Sequence, residues 1–397
     1  MSDSGAASRV AAVDLARGIA MLGVALVNVH AFAAVWSSVY GLDLAGTVAD
    51  LAAETFTAML FTHRSYPVLS FLFGAGLAWQ WMRAASREYA PLGAPPHKRL
   101  RPRLWALLVI GVIHGLLLWP GDVLAAYALM GLMLVAILKC SDRAILGAAV
   151  TVYGLTALLY LSLGLAMITA PGAPFPADEP AASFAAMTWR DALSRRPGEY
   201  WQRGLAQLLV SDFWAHVLLG MWAVRSGALS RFFAAPFASN ALTFTGFGLL
   251  VAGSAVELFA AQYGGWNAST FNDYGNGLMT IAVLPASVGG LWLWLTVAGC
   301  WNRSRFAAGT VASFVVASGR APLSQFVGQS IVFALLFNKS LIGWHGELGR
   351  AACFLIAVLT YALLSGFLRA WAASGHAHGP MEMLWRGLTN RLAPPPS

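Results

Sequence analysis

RLRPRLWALLVIGVIHGLLLWPGDVLAAYALMGLMLVAILK, residues 99–139, holds the pattern that decides the fold. Arg99, Arg101 and Arg103 open it, and an apolar run follows over 104–119. Trp119, Pro120, Gly121 and Asp122 break that run, and a second run over 123–139 ends at Lys139. Each run is close to the minimum of about 17 residues with which an α-helix crosses about 30 Å of hydrocarbon. Basic residues stand at both open ends and none at the turn. Lys and Arg mark cytoplasmic loops, so the stretch reads as a transmembrane hairpin with its open ends in the cytoplasm.

The same alternation runs through the chain. Of 397 residues, 58% are hydrophobic and 11% charged, against about 25% charged in a soluble domain. Spans are predicted near 18–35, 62–82, 104–119, 123–139, 145–169, 208–226, 239–262, 276–299, 322–338 and 351–371. The expected fold is therefore all-α, a polytopic transmembrane helix bundle of about ten spans. Strict period-two alternation is absent, which argues against a β-barrel. Residues 48–61 read as an amphipathic helix on the outer surface, and 307–319 as a short extra helix. The whole chain, 1–397, reads as a single membrane domain. Its N-terminal half covers residues 10–170, an outer loop 170–207, and the C-terminal half 208–392.

Charge sets the orientation. The expected inner loops hold Arg83, Arg87, Lys98, Arg143, Arg225, Arg231, Arg303, Arg305, Arg386 and Arg391 beside the four residues above, whereas outer loops 36–50, 120–122 and 263–275 hold no Lys or Arg. The long loop at 170–207 carries four arginines, as translocated loops of that length tolerate. Both termini are expected inside. The net charge of +8 belongs to this loop pattern, and no nucleic-acid partner is expected. Cys140, Cys300 and Cys353 are widely spaced and form neither a metal motif nor a disulfide framework. MSDSGAASRV lacks the features of a removable signal peptide, so the first run is expected to be retained.

An ionisable side chain in hydrocarbon costs about 3 kcal/mol on insertion scales, so each one needs a reason. Arg17 opens the first span as an interfacial anchor or as an anion site for a phosphate. Asn28 and His30 lie roughly 16 to 20 Å further along that helix. Asn28 suits a helix–helix hydrogen bond or a substrate contact, and His30 suits outer water or chemistry. His63 and Arg64 stand at the outer mouth of the second span, where Arg64 could anchor the interface or bind an anionic or sugar-like substrate. His114 precedes the Trp119–Asp122 break. Asp122 either N-caps the next helix or orients an imidazole across the hairpin, and Tyr127 can offer a hydroxyl. Asp212 and His216 share a helix face at i, i+4. Glu257 is the carboxylate that a proton-coupled carrier would use. Arg320 opens the ninth span as an anchor or a second phosphate contact. No phosphate loop, zinc-protease motif or nucleophile elbow is present, and no metal is expected.

Three groups of segments carry a resemblance: DLARGIAMLGVALVNVHAF (14–32); RSYPVLSFLFGAG with GVIHGLLLWPGDVLAAYALMG (within 64–131); and LLGMWAVRSGAL (218–229), ASGRAPLSQFVGQS (317–330) and HGPMEMLWRGLTN (378–390). Together they resemble the YeiB-like family, which carries the domain of unknown function numbered 418. That family is similar to the wider group of transmembrane acyltransferases. The resemblance implies acyl transfer from cytoplasmic acyl-CoA (acetyl-CoA) to an acceptor hydroxyl or amine at the outer face. Sugar O-acyltransferases of that group show Arg, ten residues, then His in the first span, whereas here Arg17 is followed at that spacing by Asn28. The resemblance then assigns His114 as general base, Asp122 as its orienting partner and Tyr127 as oxyanion donor. Arg17 and Arg320 would hold the phosphates of the CoA thioester. Arg64, with Asn28, His30 and His63, would serve the acceptor. A transporter or exporter of a small metabolite is the alternative. The expected partners are the lipid bilayer, a small-molecule or glycan acceptor and a second copy in a homodimer, and the expected location is a bacterial inner membrane.

Overall fold

A computed structural model describes residues 3–33, 46–86, 96–169, 183–186, 188–209, 211–261 and 274–393. The first parts of the outer loops expected at 36–50, 170–207 and 263–275 lie outside the described residues, as does Arg87 of the inner loop. Among the described residues the chain is helical and without strands: α1 (Asp3–Ala33), α2 (Val48–Leu60), α3 (Ser65–Ala85), α4 (Pro96–Leu117), α5 (Leu124–Leu134), α6 (Asp142–Thr169), α7 (Trp189–Leu209), α8 (Ser211–Arg225), α9 (Ala228–Ala234), α10 (Asn240–Ala261), α11 (Tyr274–Arg303), α12 (Thr310–Arg320), α13 (Pro322–Phe337), α14 (Arg350–Ala373) and α15 (Pro380–Leu392). Each predicted span coincides with one of these helices, and the two short helices expected near 48–61 and 307–319 are α2 and α12.

Among the described residues, six helices are long and apolar enough to cross a membrane: α1 over Ala11–Ala33, α4, α6, α10, α11 and α14. Leu124–Lys139, which is α5 extended by a 3-10 turn at Val135–Lys139, and α13 are apolar but shorter. The protein is a polytopic, all-helical membrane protein.

Lipid gives little hydrophobic drive for helices to associate, so close van der Waals packing must do it, and small residues permit that approach. α3 and α8 meet at Gly74 and Gly220. A Cβ on Gly220 would lie 1.9 Å from the Phe71 carbonyl oxygen, and one on Gly74 would lie 2.0 Å from that of Val217. α1 meets α12 the same way, with Gly319 against the Asp14 carbonyl.

The contacts define two ends of the bundle. The near end holds Asp14 and Arg17 of α1, Arg320 and α15. At the far end Phe32 stacks on Trp119 at 4.2 Å between ring centroids and meets Phe184 at 4.8 Å. There the last carbonyls of α1 are satisfied from the loop before α14, by His345 Nδ1 to Phe32 O at 2.8 Å and Gly346 N to Ala33 O at 2.7 Å. α2 starts with a Thr47–Asp50 capping box. Asp50 also accepts from the Ala351 amide at 2.8 Å, joining α2 to the start of α14. That amide first, then the Thr47 hydroxyl, holds the Asp50 carboxyl below the ordinary carboxylate range.

Gly74→Ala and Gly220→Ala should each lower the unfolding temperature in detergent, because overpacking costs about 1–3 kcal/mol. Gly147→Ala, on α6 where an added Cβ meets nothing within 4 Å, should not lower it.

Candidate functional site

α4 and α5 form the hairpin expected at the Trp119–Asp122 break, and Gly111 lets them touch: a Cβ there would lie 2.4 Å from the Ala125 amide nitrogen. Asp122 fills both roles open to it. Its Oδ2 accepts from Ala125 N at 2.9 Å, capping α5, while its Oδ1 meets His114 Nδ1 at 2.8 Å. His114 is 3% exposed and Asp122 1%. A neutral imidazole has one donor and one acceptor nitrogen. With Nδ1–H given to the carboxylate, Nε2 is the acceptor, and it is buried without a hydrogen-bond partner. Tyr200 of α7 covers this hairpin, since a Cβ on Gly115 would lie 2.2 Å from its ring. Burial first, then the Asp122 charge, raises the Tyr200 hydroxyl above its ordinary range.

Tyr127 does not join this pair. Its hydroxyl meets Ser70 Oγ of α3 at 2.9 Å, within a second polar group around Asp212 of α8. Tyr66 bonds one Asp212 oxygen and Tyr160 the other, the latter at 3.2 Å. His216 Nδ1 donates to the Asp212 backbone carbonyl at 2.6 Å, so the i, i+4 pair is joined through the main chain. His216 Nε2 is buried without a partner.

Arg17 and Arg320 are brought together by a residue that the sequence reading passed over. Asp14 lies 3.6 Å from Arg17 Nη1 and accepts from Arg320 Nε at 3.3 Å. Arg17 Nη1 also donates to Gly319 O at 3.1 Å. The Arg320 side chain is 68% exposed and that of Arg17 24%, so this group opens at the near end. The i, i+3 spacing of Asp14 and Arg17 was the available signal.

Arg17, Met21 and Asn28 share one face of α1, because steps of four and seven residues at about 100° each return close to the same direction. Met21 on that face packs into an apolar cluster with Leu107, Ile110, Leu323 and Phe326. Phe326 also touches the His114 ring, with centroids 5.0 Å apart. A packed apolar layer thus separates the near-end arginines from the His114–Asp122 pair. Asn28 is half-buried, further along the same face.

His63 and Arg64 lie in the turn between α2 and α3, beside α10. Arg64 is fully buried rather than open at a mouth. Its Nη2 donates to Glu257 Oε2 at 2.6 Å and Ser254 Oγ at 2.8 Å, and its Nη1 to the Ala58 and Thr62 carbonyls. His63, with a left-handed φ of 57°, meets Glu257 Oε1 at 3.0 Å. Both Glu257 oxygens are therefore engaged. His30 is buried at the far end, near the Arg350 charge.

Removing one partner of a buried ion pair leaves an uncompensated charge. Arg64→Leu or Glu257→Leu alone should destabilise the protein by about 3–5 kcal/mol in detergent unfolding, and the double variant by less than either single one. Additive losses would show that the pair is not coupled.

Residues 223–392 match the family described as Protein of unknown function (DUF418). The uncharacterized protein YeiB of Escherichia coli (strain K12) is 25% identical over 395 residues, covering 96% of this chain and 97% of that protein. The uncharacterized protein YxaH of Bacillus subtilis (strain 168) is 30% identical over 164 residues, 38% of each chain. No solved structure matches. The C-terminal part of this chain thus matches the DUF418 family, and the chain is similar to YeiB over nearly its whole length.

Proposed function

We propose that this protein is an integral membrane acyltransferase that moves an acyl group from acyl-CoA to an acceptor hydroxyl or amine. The observation that carries the reading is His114. One imidazole nitrogen is fixed by a buried carboxylate and the other is buried inside the bundle without a hydrogen-bond partner, the arrangement of an oriented general base. In this reaction Nε2 takes the acceptor proton as the acceptor attacks the thioester carbonyl. The tetrahedral intermediate then expels the CoA thiolate, which recovers that proton from His114. The positive-inside pattern makes the near end cytoplasmic, so Arg17 and Arg320 receive the donor phosphates. The acceptor comes from the far side, where Asn28 and His30 lie. Tyr127 faces Ser70, so the chemistry rests on His114 and Asp122 alone. Two relatives from Escherichia coli and Bacillus subtilis support a bacterial cytoplasmic membrane as the location. Transport of a small metabolite would centre on Glu257, and its pairing to Arg64 and His63 favours acyl transfer instead.

The test is CoA binding and acetyl-CoA turnover by purified protein in detergent. His114→Ala should bind CoA as wild type does and lose about 10²- to 10⁴-fold in turnover, the range for a positioned general base. Arg17→Ala should weaken CoA binding by about tenfold or more, as loss of a charged hydrogen bond does. Folded wild-type protein that neither binds nor turns over acyl-CoA would overturn the reading.

A further inference from the structure

The final signature segment, HGPMEMLWRGLTN (378–390), forms α15 and takes no part in the chemistry above. Its placement is unusual. The only buried residue of α15 is a carboxylate, Glu382. It lies on the start of α13, where Pro322 supplies no amide and the following two residues do. Oε1 accepts from Leu323 N at 2.7 Å and from Ser324 N at 3.2 Å, and Oε2 accepts from Ser324 Oγ at 2.5 Å. Ser324 Oγ in turn accepts from Met381 N at 3.0 Å. Gly379 makes the approach feasible, since a Cβ there would lie 2.4 Å from Glu382 Oε2 and 2.6 Å from Ser324 Oγ.

This carboxylate sits beside the near-end arginines. Arg320 ends α12 two residues before α13 begins, and the Glu382 charge also acts on Arg17. Two cations, Arg17 and Arg320, face two anions, Asp14 and Glu382, so the group is balanced with α15 docked. Moving Glu382 away leaves a net positive charge, two helix-start amides and a serine hydroxyl. Those are the donors that hold a phosphate, which offers more charge and more acceptor oxygens than a carboxylate. Elsewhere α15 packs along α4 and lays Met381, Trp385 and Leu388 against the apolar cluster that holds Met21 and Phe326. Trp385 donates to Arg103 O at 2.7 Å and lies under the Arg103 guanidinium at 4.7 Å. The segment before α15 turns at Gly375, which has φ 94°.

We propose that Glu382 is a built-in stand-in for the donor's phosphate, and that α15 is a latch which a phosphate-bearing ligand opens by displacing Glu382 from α13. This rests on the assignment of the near-end arginines to the donor.

The test compares wild type with Glu382→Gln, which keeps an oxygen acceptor for the α13 amides and loses the charge. Glu347→Gln, at an exposed pair with Lys339, is the control. CoA and inorganic pyrophosphate are the probes, with binding and hydrogen exchange of the α15 amides as readouts. The expected result is CoA binding about tenfold tighter in Glu382→Gln, a gain of about 1.4 kcal/mol, and faster α15 exchange in wild type when CoA is bound. The control should match wild type. Equal CoA affinity in both proteins with unchanged α15 exchange overturns the latch and leaves the donor assignment standing. Pyrophosphate that binds more tightly to the variant and loosens α15, where CoA does neither, upholds the latch and removes CoA as donor. Failure of both probes to bind either protein overturns both.

Discussion

Inside a bilayer no water stands ready to satisfy a polar side chain, so each one must find its partner within the bundle. Arg64 is the severest case. It is fully buried, and its charge is met by Glu257, a serine hydroxyl and two carbonyls. That requirement fixes more than one contact. It pins the α2–α3 turn to α10, and Gly290 of α11 packs directly on the Arg64 side chain. With the start of α3 so held, Tyr66 reaches Asp212 of α8, and Ser70 one turn on reaches Tyr127 of α5. The hairpin that carries His114 is thereby set against a framework held by paired polar groups.

Two buried imidazoles keep an Nε2 without a partner, His114 and His216, and the partner of the other nitrogen distinguishes them. His216 gives its Nδ1–H to a main-chain carbonyl, which ties one turn of α8 to itself. His114 gives its Nδ1–H to a carboxylate, which fixes the ring's tautomer and orientation and leaves Nε2 as the acceptor. The Asp122 carboxylate is itself held by the Ala125 amide, so the geometry is set before any substrate arrives.

Much of this was legible in the sequence, for reasons that differ by residue. The spans follow from run length and from the placement of Lys and Arg. The α4–α5 hairpin was visible because Pro, Gly and Asp act locally, and both readings of Asp122 hold at once. Tyr127 is the instructive miss. At about 100° per residue, two residues past Ala125, which faces Gly111, it points away from α4. Arg64 and Glu257 are 193 residues apart and Ser324 and Glu382 58 apart, so neither pairing had a local signal. The sequence reading set Arg64 at an open mouth because an arginine beside an apolar run ordinarily reaches water; burial required a carboxylate that only the tertiary fold supplies.

Between Arg17 and His114 stands the apolar layer of Met21, Ile110, Leu323 and Phe326, so a donor held by the near-end arginines reaches the base only if that layer parts. The most direct measurement is therefore an experimental structure with CoA bound. Phosphates on Arg17 and Arg320, with the pantetheine arm through the layer and its sulfur beside His114 Nε2, are the expected result. CoA seated elsewhere, with the layer closed and His114 unapproached, would contradict it.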